Sequence, residues 1–506
     1  MRSEWDSVAD RGETQVTGLA AAMVTVAMGL GCAVVLGDLA MLSANLATVQ
    51  RGLHCSPGTT IFIGCLATVT LAAAVLGAGV LGDRYGMKRM FVLGAAGAIV
   101  FGLLAVVAPN AVVLMIARGC IGVAFAFLSS LSLAIVNAVF PPDRRAIAIA
   151  RYLAAVYVIG LVPPAAGGFL VHHIGWRSGF FITPLLAAVA LILAMRYVPE
   201  TGRSHRKIDV PGLVVVAVAL VGLIFGISQL QNGFHRMTVA SIVVGIVAAV
   251  VFVWWERRTR EPALDLRLFR SRRFNAAVTV GAASNLVQGA AMIMATYYLV
   301  IIRGTPIETF ALLLVPATLL AALAALGAGW AAARVGGATV LVAGLAVLTV
   351  SLLVRYLFDA DTPVMAVAAV MALTSAGGAI VQTPQATIMM ASAPTDLGGV
   401  VSAVKASLAG TFYSLGSAVA ALLGVALFAG SSRLVGTGMG AREARDALRT
   451  AHTPTPASDP ELISVATSAM IDAAHQLNLI MAVVPIAAIA VAVPLLRRES
   501  PREAPR

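Results

Sequence analysis

The sequence predicts an all-α integral membrane protein with fourteen membrane-spanning helices. Of its 506 residues, 59% are hydrophobic and only 11% are charged, which leaves too little polar surface to cover a water-soluble globule. Apolar stretches of roughly 20 residues recur along the chain, and a helix of about that length crosses the hydrocarbon core of a bilayer. The stretches lack the period-2 alternation of a β-strand, which argues against an outer-membrane barrel.

Charged residues, glycines and prolines divide the apolar sequence into fourteen segments. The predicted helices cover residues 19–47, 59–81, 90–108, 111–138, 146–171, 179–198, 210–229, 237–255, 275–302, 309–333, 338–358, 363–391, 403–430 and 478–496. The longest connection, residues 431–477, is polar and contains one short candidate surface helix, Ala441–Thr450. An even number of spans places both termini on the same side of the membrane.

The distribution of basic residues predicts which side that is. The connections after helices 2, 4, 6 and 8 hold most of the basic residues that lie between spans, whereas the alternate short connections carry one or none. Short cytoplasmic loops are enriched in Lys and Arg. Both termini are therefore predicted to be cytoplasmic, and residues 431–477 extracytoplasmic.

Several classes of function are disfavoured. The net charge of +12 is spread over short loops, so it indicates membrane topology and not a nucleic-acid surface. Cys32, Cys55, Cys65 and Cys120 form no C-x-x-C pair, and we predict neither a metal site nor a cofactor. Phosphate-binding loops and hydrolase motifs are missing, so we expect no enzymatic activity and an ion gradient as the energy source.

A glycine-punctuated charged turn joins helices 2 and 3. Its motif residues are Gly79, Gly82, Asp83, Arg84, Gly86, Lys88 and Arg89. A partial copy begins 250 residues later at Gly329, where the first Gly, the Arg and the last Gly are retained and Ala333 replaces the Asp. The repeat predicts two six-helix halves with two helices between them: residues 1–200, a linker pair in 201–273, and 274–506.

Two charges lie deep in apolar sequence. Asp38 is on helix 1 and Arg118 is on helix 4, and charged side chains inside membrane spans are functional candidates by default. At about 1.5 Å per residue, both lie ~12–14 Å from the outer boundary, so they can meet. A proton-coupled contact is one reading of this pair, and a static ion pair that orients two helices is the other.

Other candidate residues lie on helices 1, 5, 9, 12 and 13. Helix 5 carries Gly160, Pro163, Pro164, Gly167 and Gly168, which predict a disturbed helix. The polar residues that we place as candidates for a substrate cavity are Asn45, Asn285, Gln288, Tyr297, Gln382, Gln385, Lys405 and Tyr413. Contacts between helices explain these residues equally well, and Lys405 has the alternative of extending to the cytoplasmic interface.

These motifs together resemble the major facilitator superfamily. The turn from Gly79 to Arg89 is similar to its signature loop, Arg118 and Gly122 to its intramembrane Arg-x-x-x-Gly motif, and the helix-5 residues to its antiporter motif, with Pro163 in place of the middle glycine. The sequence around Asp38 resembles the fourteen-helix drug/proton antiporter branch. The resemblance implies the major facilitator fold and a bacterial plasma membrane location.

The resemblance implies a proton-coupled exporter of lipophilic or amphipathic small molecules that works by alternating access. Its expected partners are protons, membrane lipids and a lipophilic small molecule or lipid, and we expect a monomer. One alternative is an exporter of lipids or lipid conjugates on the same fold. A second, from another class, is a non-transporting membrane sensor or scaffold.

Overall fold

The computed structural model describes residues 18–202, 204, 208–229, 236–259, 261–392, 394–437, 440–450 and 460–497. Both chain termini, predicted to share one side of the membrane, lie outside these residues. Arg203, Arg206 and Lys207 of the connection after helix 6 also lie outside them.

Within the described residues, fourteen helices are long and apolar enough to cross a membrane, which confirms the predicted number. In chain order they are α1 (Gly18–Leu53), α2 (Pro57–Tyr85), α3 (Met87–Val106), α4 (Ala111–Val139), α5 (Pro142–Gly160 and Val162–His173), α6 (Trp176–Gly179 and Ile182–Tyr197), α7 (Val210–Gln229), α8 (Arg236–Glu256), α9 (Arg272–Thr296, continued as the π-helix Tyr297–Ile302), α10 (Ile307–Val335), α11 (Gly337–Arg355), α12 (Val364–Ala391), α13 (Gly398–Ala429) and α14 (Pro460–Arg497).

The helices form two groups of six. In the N-terminal half, α1–α6, α4 packs on α2 and α3, and α1 packs on α5 and α6. In the C-terminal half, α9–α14, α12 packs on α10 and α11, and α9 packs on α13. The remaining two helices, α7 and α8, pack on each other, and α7 also contacts α2 and α13. This is the predicted arrangement of two six-helix halves with an intervening pair.

The two ends of the bundle differ in charge. We call the end that carries the α2–α3, α4–α5 and α8–α9 connections the basic end, because Arg84, Lys88, Arg89, Arg144 and Arg145 lie there. At this end the halves contact each other where α2 meets α13 and where α5 meets α10. The other end is called the opposite end.

The internal repeat has a counterpart in the backbone. Gly86 ends α2 with φ 104° and Gly336 ends α10 with φ 87°, a region that side chains rarely allow. The Gly86 N–H donates to Gly82 O at 3.0 Å, and the Gly336 N–H donates to Ala332 O at 3.1 Å. The two sharp turns are therefore built in the same way in both halves.

The prediction for the last helix was wrong at its start. α14 begins at Pro460, eighteen residues before the predicted position, so the connection predicted over residues 431–477 is shorter. Ala466, Ala469 and Ala473 are buried at helical spacing against protein. Polar residues such as Asp472 and His475 made these turns look unlike a span. Their alanines pack on the end of α13 and on the short helices Ser432–Thr437 and Ala441–Thr450. The second of these is the predicted surface helix.

Close packing of α9 on α13 generates a stability prediction. A Cβ at Gly416 would lie 1.9 Å from Leu286 O, whereas a Cβ at Gly410 on the same helix would meet nothing within 4 Å. We expect Gly416→Ala to destabilise the protein by about 1–3 kcal/mol, because the backbones must separate. Thermal unfolding of the purified protein measures this.

Gly410→Ala is the matched control, and we expect it to change stability by less than about 1 kcal/mol. Equal melting temperatures for both variants and the wild type would contradict the close contact.

Candidate functional site

Asp38 and Arg118 form a buried ion pair between α1 and α4. Both side chains are inaccessible to solvent, and Arg118 Nη1 donates to Asp38 Oδ2 at 2.5 Å. Thr183, near the start of the second segment of α6, donates its hydroxyl to Asp38 Oδ1 at 2.6 Å. The carboxylate therefore connects three helices of the N-terminal half.

The guanidinium of Arg118 is only partly satisfied. Within the described residues, its Nε and Nη2 are buried without a hydrogen-bond partner. The pair thus lacks the two parallel bonds of a bidentate arginine–carboxylate contact, and buried polar groups without partners cost free energy. Such a contact is easier to break than a saturated salt bridge.

The helix-5 motif lies against the same part of α1. The two segments of α5 meet at Leu161, because Pro163 and Pro164 lack the N–H that would continue the helical ladder. A Cβ at Gly37, next to Asp38, would lie 2.3 Å from the Pro163 ring. The interruption predicted on α5 is therefore present and packs beside the ion pair.

The glycines of this motif have different surroundings. A Cβ at Gly167 would lie 2.4 Å from Met41 Cγ on α1, so this position requires a close approach. Gly160 and Gly168 would meet nothing within 4 Å. Close packing explains Gly167 and leaves the other two glycines without a steric role.

Asp83 joins the two halves at the basic end. Its Oδ1 accepts from Gly399 N at 2.7 Å and its Oδ2 accepts from Val400 N at 3.0 Å. The carboxylate thus caps the N-terminus of α13, where free N–H groups and the helix dipole favour a negative charge. Gly79 makes this approach possible, because a Cβ there would lie 2.5 Å from Gly399 O.

The other residues of the turn support this contact from the N-terminal half. A Cβ at Gly82 would lie 2.2 Å from Leu131 on α4, so α2 and α4 are also in close contact. The Arg84 guanidinium lies 5.6 Å from the centroid of the Tyr85 ring.

The start of α3 is attached to the end of α6. Met87 N donates to Thr201 Oγ1 at 2.9 Å, and Arg89 lies 3.7 Å from the Glu200 carboxylate in an exposed ion pair. Exposed pairs contribute little. Lys88 is partly exposed beside them.

The eroded copy of the turn occupies the related position in the C-terminal half. A Cβ at Gly329 on α10 would lie 2.3 Å from Ala150 Cβ and 3.1 Å from Ala146 O on α5. The α5–α10 crossing therefore repeats the close approach of α2 and α13. Ala333 stands where the other half has Asp83, so this crossing lacks the carboxylate cap.

Three predicted cavity residues form one polar chain in the C-terminal half. Lys405 Nζ on α13 donates to Gln382 Oε1 on α12 at 2.8 Å, and Gln382 Nε2 donates to Asn285 Oδ1 on α9 at 3.3 Å. Asn285 Nδ2 donates to Gly281 O at 2.7 Å. The ammonium of Lys405 is thus held in the interior, and the alternative that it extends to the interface was wrong.

Two other glutamines lie between helices. Gln288 packs on α12, where a Cβ at Gly378 would lie 2.5 Å from its amide. Gln385 packs on α9, where a Cβ at Gly281 would lie 1.6 Å from its Nε2. Both side chains serve contacts between α9 and α12.

The remaining candidates are dispersed. Asn45 Nδ2 donates to Met41 O on its own helix at 2.8 Å. Tyr297 begins the π-helix of α9 and lies near Gly424 of α13. Tyr413 is 42% exposed on α13.

Sequence reasoning missed two buried contacts. Thr183 is an isolated hydroxyl in an apolar segment, and no sequence signal separates it from other such residues. Arg355 lies inside the predicted helix 338–358 and was not singled out as a candidate, but it is buried and donates to Ala291 O at 3.0 Å and to Thr374 Oγ1 at 3.1 Å.

The surface of α1 changes along its length. Residues 24–35 are mostly buried, whereas Leu36, Ala40, Ser43 and Ala47 form an exposed stripe toward the opposite end. The other faces of α1 pack on α2, α4, α5 and α6. The halves are thus in close contact at the basic end, and α1 is accessible toward the opposite end.

A membrane protein with two related halves, closed at one end and accessible at the other, has the architecture of an alternating-access transporter. Residues 28–421 match the Major Facilitator Superfamily, and the chain belongs to this family. The resemblance seen in the motifs is thereby confirmed.

Relatives and solved structures agree with this assignment. The multidrug resistance protein Stp of Mycobacterium tuberculosis is 26% identical over 418 residues, which cover 80% of this chain and 77% of Stp. The multidrug efflux pump LfrA of Mycolicibacterium smegmatis is 26% identical over 385 residues, 76% of each chain. The human organic anion transporter MFSD10 has the same fold, with a TM-score of 0.62 and 14% identity over 94% of this chain and 100% of that one.

The cap on α13 generates a prediction for the basic end. We expect Asp83→Ala to accelerate amide exchange at Gly399 and Val400 by about fivefold, because losing a helix cap costs about 1 kcal/mol. Hydrogen–deuterium exchange of the peptide around the start of α13 measures this.

Asp143→Ala is the control, because it removes an exposed carboxylate at the same end. Unchanged exchange at the start of α13 in Asp83→Ala would show that the carboxylate does not hold this helix.

Proposed function

We propose that the protein is a proton-coupled exporter of lipophilic or amphipathic small molecules in the inner membrane of a bacterium. The observation that carries this proposal is the buried pair of Asp38 and Arg118, whose carboxylate is a proton acceptor inside the membrane and whose guanidinium is only partly bonded. The bacterial relatives named as multidrug efflux proteins support export as the direction.

Protonation of Asp38 is the proposed coupling step. A proton on Oδ2 would compete with Arg118 for that oxygen and remove the negative charge that holds α4 against α1. The break in α5 packs on Gly37 beside the same carboxylate, so a shift of α1 also reaches α5. Loss of the ion pair would thus loosen the packing of α1 on two neighbours.

Orientation follows from the basic connections. Because Lys and Arg are enriched in cytoplasmic loops, we place the basic end and both termini in the cytoplasm. The conformation described above is then closed toward the cytoplasm by Asp83 and accessible from outside. The reverse conformation requires Asp83 to release Gly399 and Val400.

A lipid exporter on the same fold is the second candidate. An apolar groove of about 450 Å³ lies between α7 and α8 and includes Ala73 of α2, Val218, Phe225, Met237 and Val244. A groove of this kind fits an acyl chain. Export of compact dyes by the purified protein favours the first candidate, and export of labelled lipid alone favours the second.

Asp38→Asn tests the proposed coupling. We expect this variant to lose proton-driven export by at least about tenfold, because the amide cannot bind and release the coupling proton. The assay is uptake into inside-out proteoliposomes under an imposed pH gradient, with acidic, neutral and cationic amphipathic dyes. Asp143→Asn is the matched control, because its carboxylate is exposed at the basic end.

Removal of Asp38 alone leaves Arg118 buried without a counter-charge, which is itself destabilising. The double variant Asp38→Asn with Arg118→Gln removes both charges, and we expect it to fold and still lack coupling. Full transport in either variant would refute the proposed coupling at Asp38. A wild-type protein that exports neither dye nor labelled lipid would favour the non-transporting alternative.

A further inference from the structure

Lys405 is an interior cation at the boundary between the two halves. It lies seven residues after the start of α13, roughly 10 Å along the helix from the basic end. Its Nζ is fixed by Gln382 Oε1 at 2.8 Å, and Gln382 is fixed in turn by Asn285. Two side chains of the C-terminal half therefore orient the ammonium instead of neutralising it.

The groups that face Lys405 from the N-terminal half are neutral. Its ammonium lies within electrostatic range of the Cys32 thiol of α1, and Cys32 lies in turn beside the buried Tyr152 of α5. Tyr157 of α5 is also within electrostatic range of Cys32. The titratable group of the N-terminal half that acts on Lys405 is therefore a thiol and not a carboxylate.

The two buried carboxylates that could act as a counter-ion for Lys405 have other partners. Asp38 is held by Arg118 and Thr183, and Asp83 caps α13. Among the described residues, the hydrogen bond of Lys405 goes to an amide oxygen, and no ion pair links it to a carboxylate. A charged group in a low-dielectric interior is costly unless an opposite charge joins it.

An apolar, accessible surface of α1 begins one helical turn beyond Cys32. Cys32 lies one helical turn before Leu36, and Leu36 and Ala40 belong to the exposed stripe of α1 that continues toward the opposite end. Leu36 is 54% exposed. The helix that brings Cys32 within electrostatic range of Lys405 therefore continues into an exposed, mainly apolar surface.

We propose that the space between the halves binds acidic amphiphiles, with the anionic head group on Lys405 and the apolar part along α1. The proposal rests on the proposed export function and specifies its substrate class: carboxylates, phenolates or phosphates attached to an apolar body. It also predicts discrimination against lipophilic cations, because the ammonium repels them and has no carboxylate beside it to offset this.

A matched pair of probes tests the charge directly. Dansylamino-undecanoic acid and its primary amide have the same chain and fluorophore, and their binding to the full-length protein in lipid nanodiscs is followed by dansyl fluorescence. We expect the acid to bind at least about tenfold more tightly than the amide, as is usual for a hydrogen bond to a charged group. Equal affinities for the two probes would overturn the proposal.

Variants of Lys405 test whether this residue causes the preference for the acid probe. We expect Lys405→Gln to weaken binding of the acid probe by about tenfold and to leave binding of the amide probe unchanged. Lys405→Arg should retain the preference for the acid. Arg196→Gln, which removes an exposed charge near the basic end, is the control. A Lys405→Gln protein that binds the acid as the wild type does, or that loses both probes equally while still folded, would refute the assignment.

A reciprocal variant covers the case in which Lys405→Gln does not fold. Gln382→Glu places a carboxylate beside the ammonium, and we expect it to exclude the acid while the amide still binds. Retained binding of the acid by this variant would contradict the site.

Unlabelled competitors separate the two sources of the anion: displacement by naphthoate supports small organic acids, and displacement by lysophosphatidic acid alone supports a lipid head group. Because binding needs no pH gradient, this experiment can fail while proton-driven export succeeds, or the reverse.

Discussion

Hydrocarbon offers no hydrogen bonds, so polar groups within the spans depend on partners inside the protein. The Asp38 carboxylate meets this condition with Arg118 and Thr183, and it thereby ties α1 to α4 and α6. Arg118 meets it with one of three nitrogens. The packing of the N-terminal half converges on this contact, since Gly37 beside the carboxylate admits the Pro163 ring of the interrupted α5. A change of charge at one oxygen therefore reaches four helices.

The two crossings at the basic end are alike in shape and different in strength. Gly79 and Gly329 both allow a neighbouring helix to approach to backbone contact. Only the first crossing adds a carboxylate on two backbone N–H groups, because Asp83 is replaced by Ala333 in the second. Opening this end must break charge-assisted hydrogen bonds between α2 and α13, whereas α5 and α10 can slide over small side chains. The asymmetry places the barrier to opening on one side of the bundle.

Hydropathy was sufficient to predict the number of spans because the bilayer imposes one length on each of them. It misplaced the start of α14 because the first turns carry polar residues such as Asp472 and His475, and they are helical because their alanines pack on protein. Local sequence likewise does not reveal the partner of a single polar residue. Nothing local distinguishes Thr183, which bonds Asp38, from Asn45, which bonds its own backbone. Partners that lie more than a hundred residues away in the chain become visible only when the helices are packed.

The proposed coupling site lies within the N-terminal half and the proposed ligand site lies between the halves, and α1 is the element common to both. Asp38 bonds Arg118 from this helix, and Cys32, six positions earlier or about 9 Å along the axis, is within electrostatic range of Lys405. In the proposed function, a proton on Asp38 frees α1 from α4, and the movement of α1 alters the wall opposite the ammonium. An anion on Lys405 acts on the same helix from the other side. Proton and substrate can therefore influence each other without sharing a residue, provided that α1 moves as a rigid unit between the two halves.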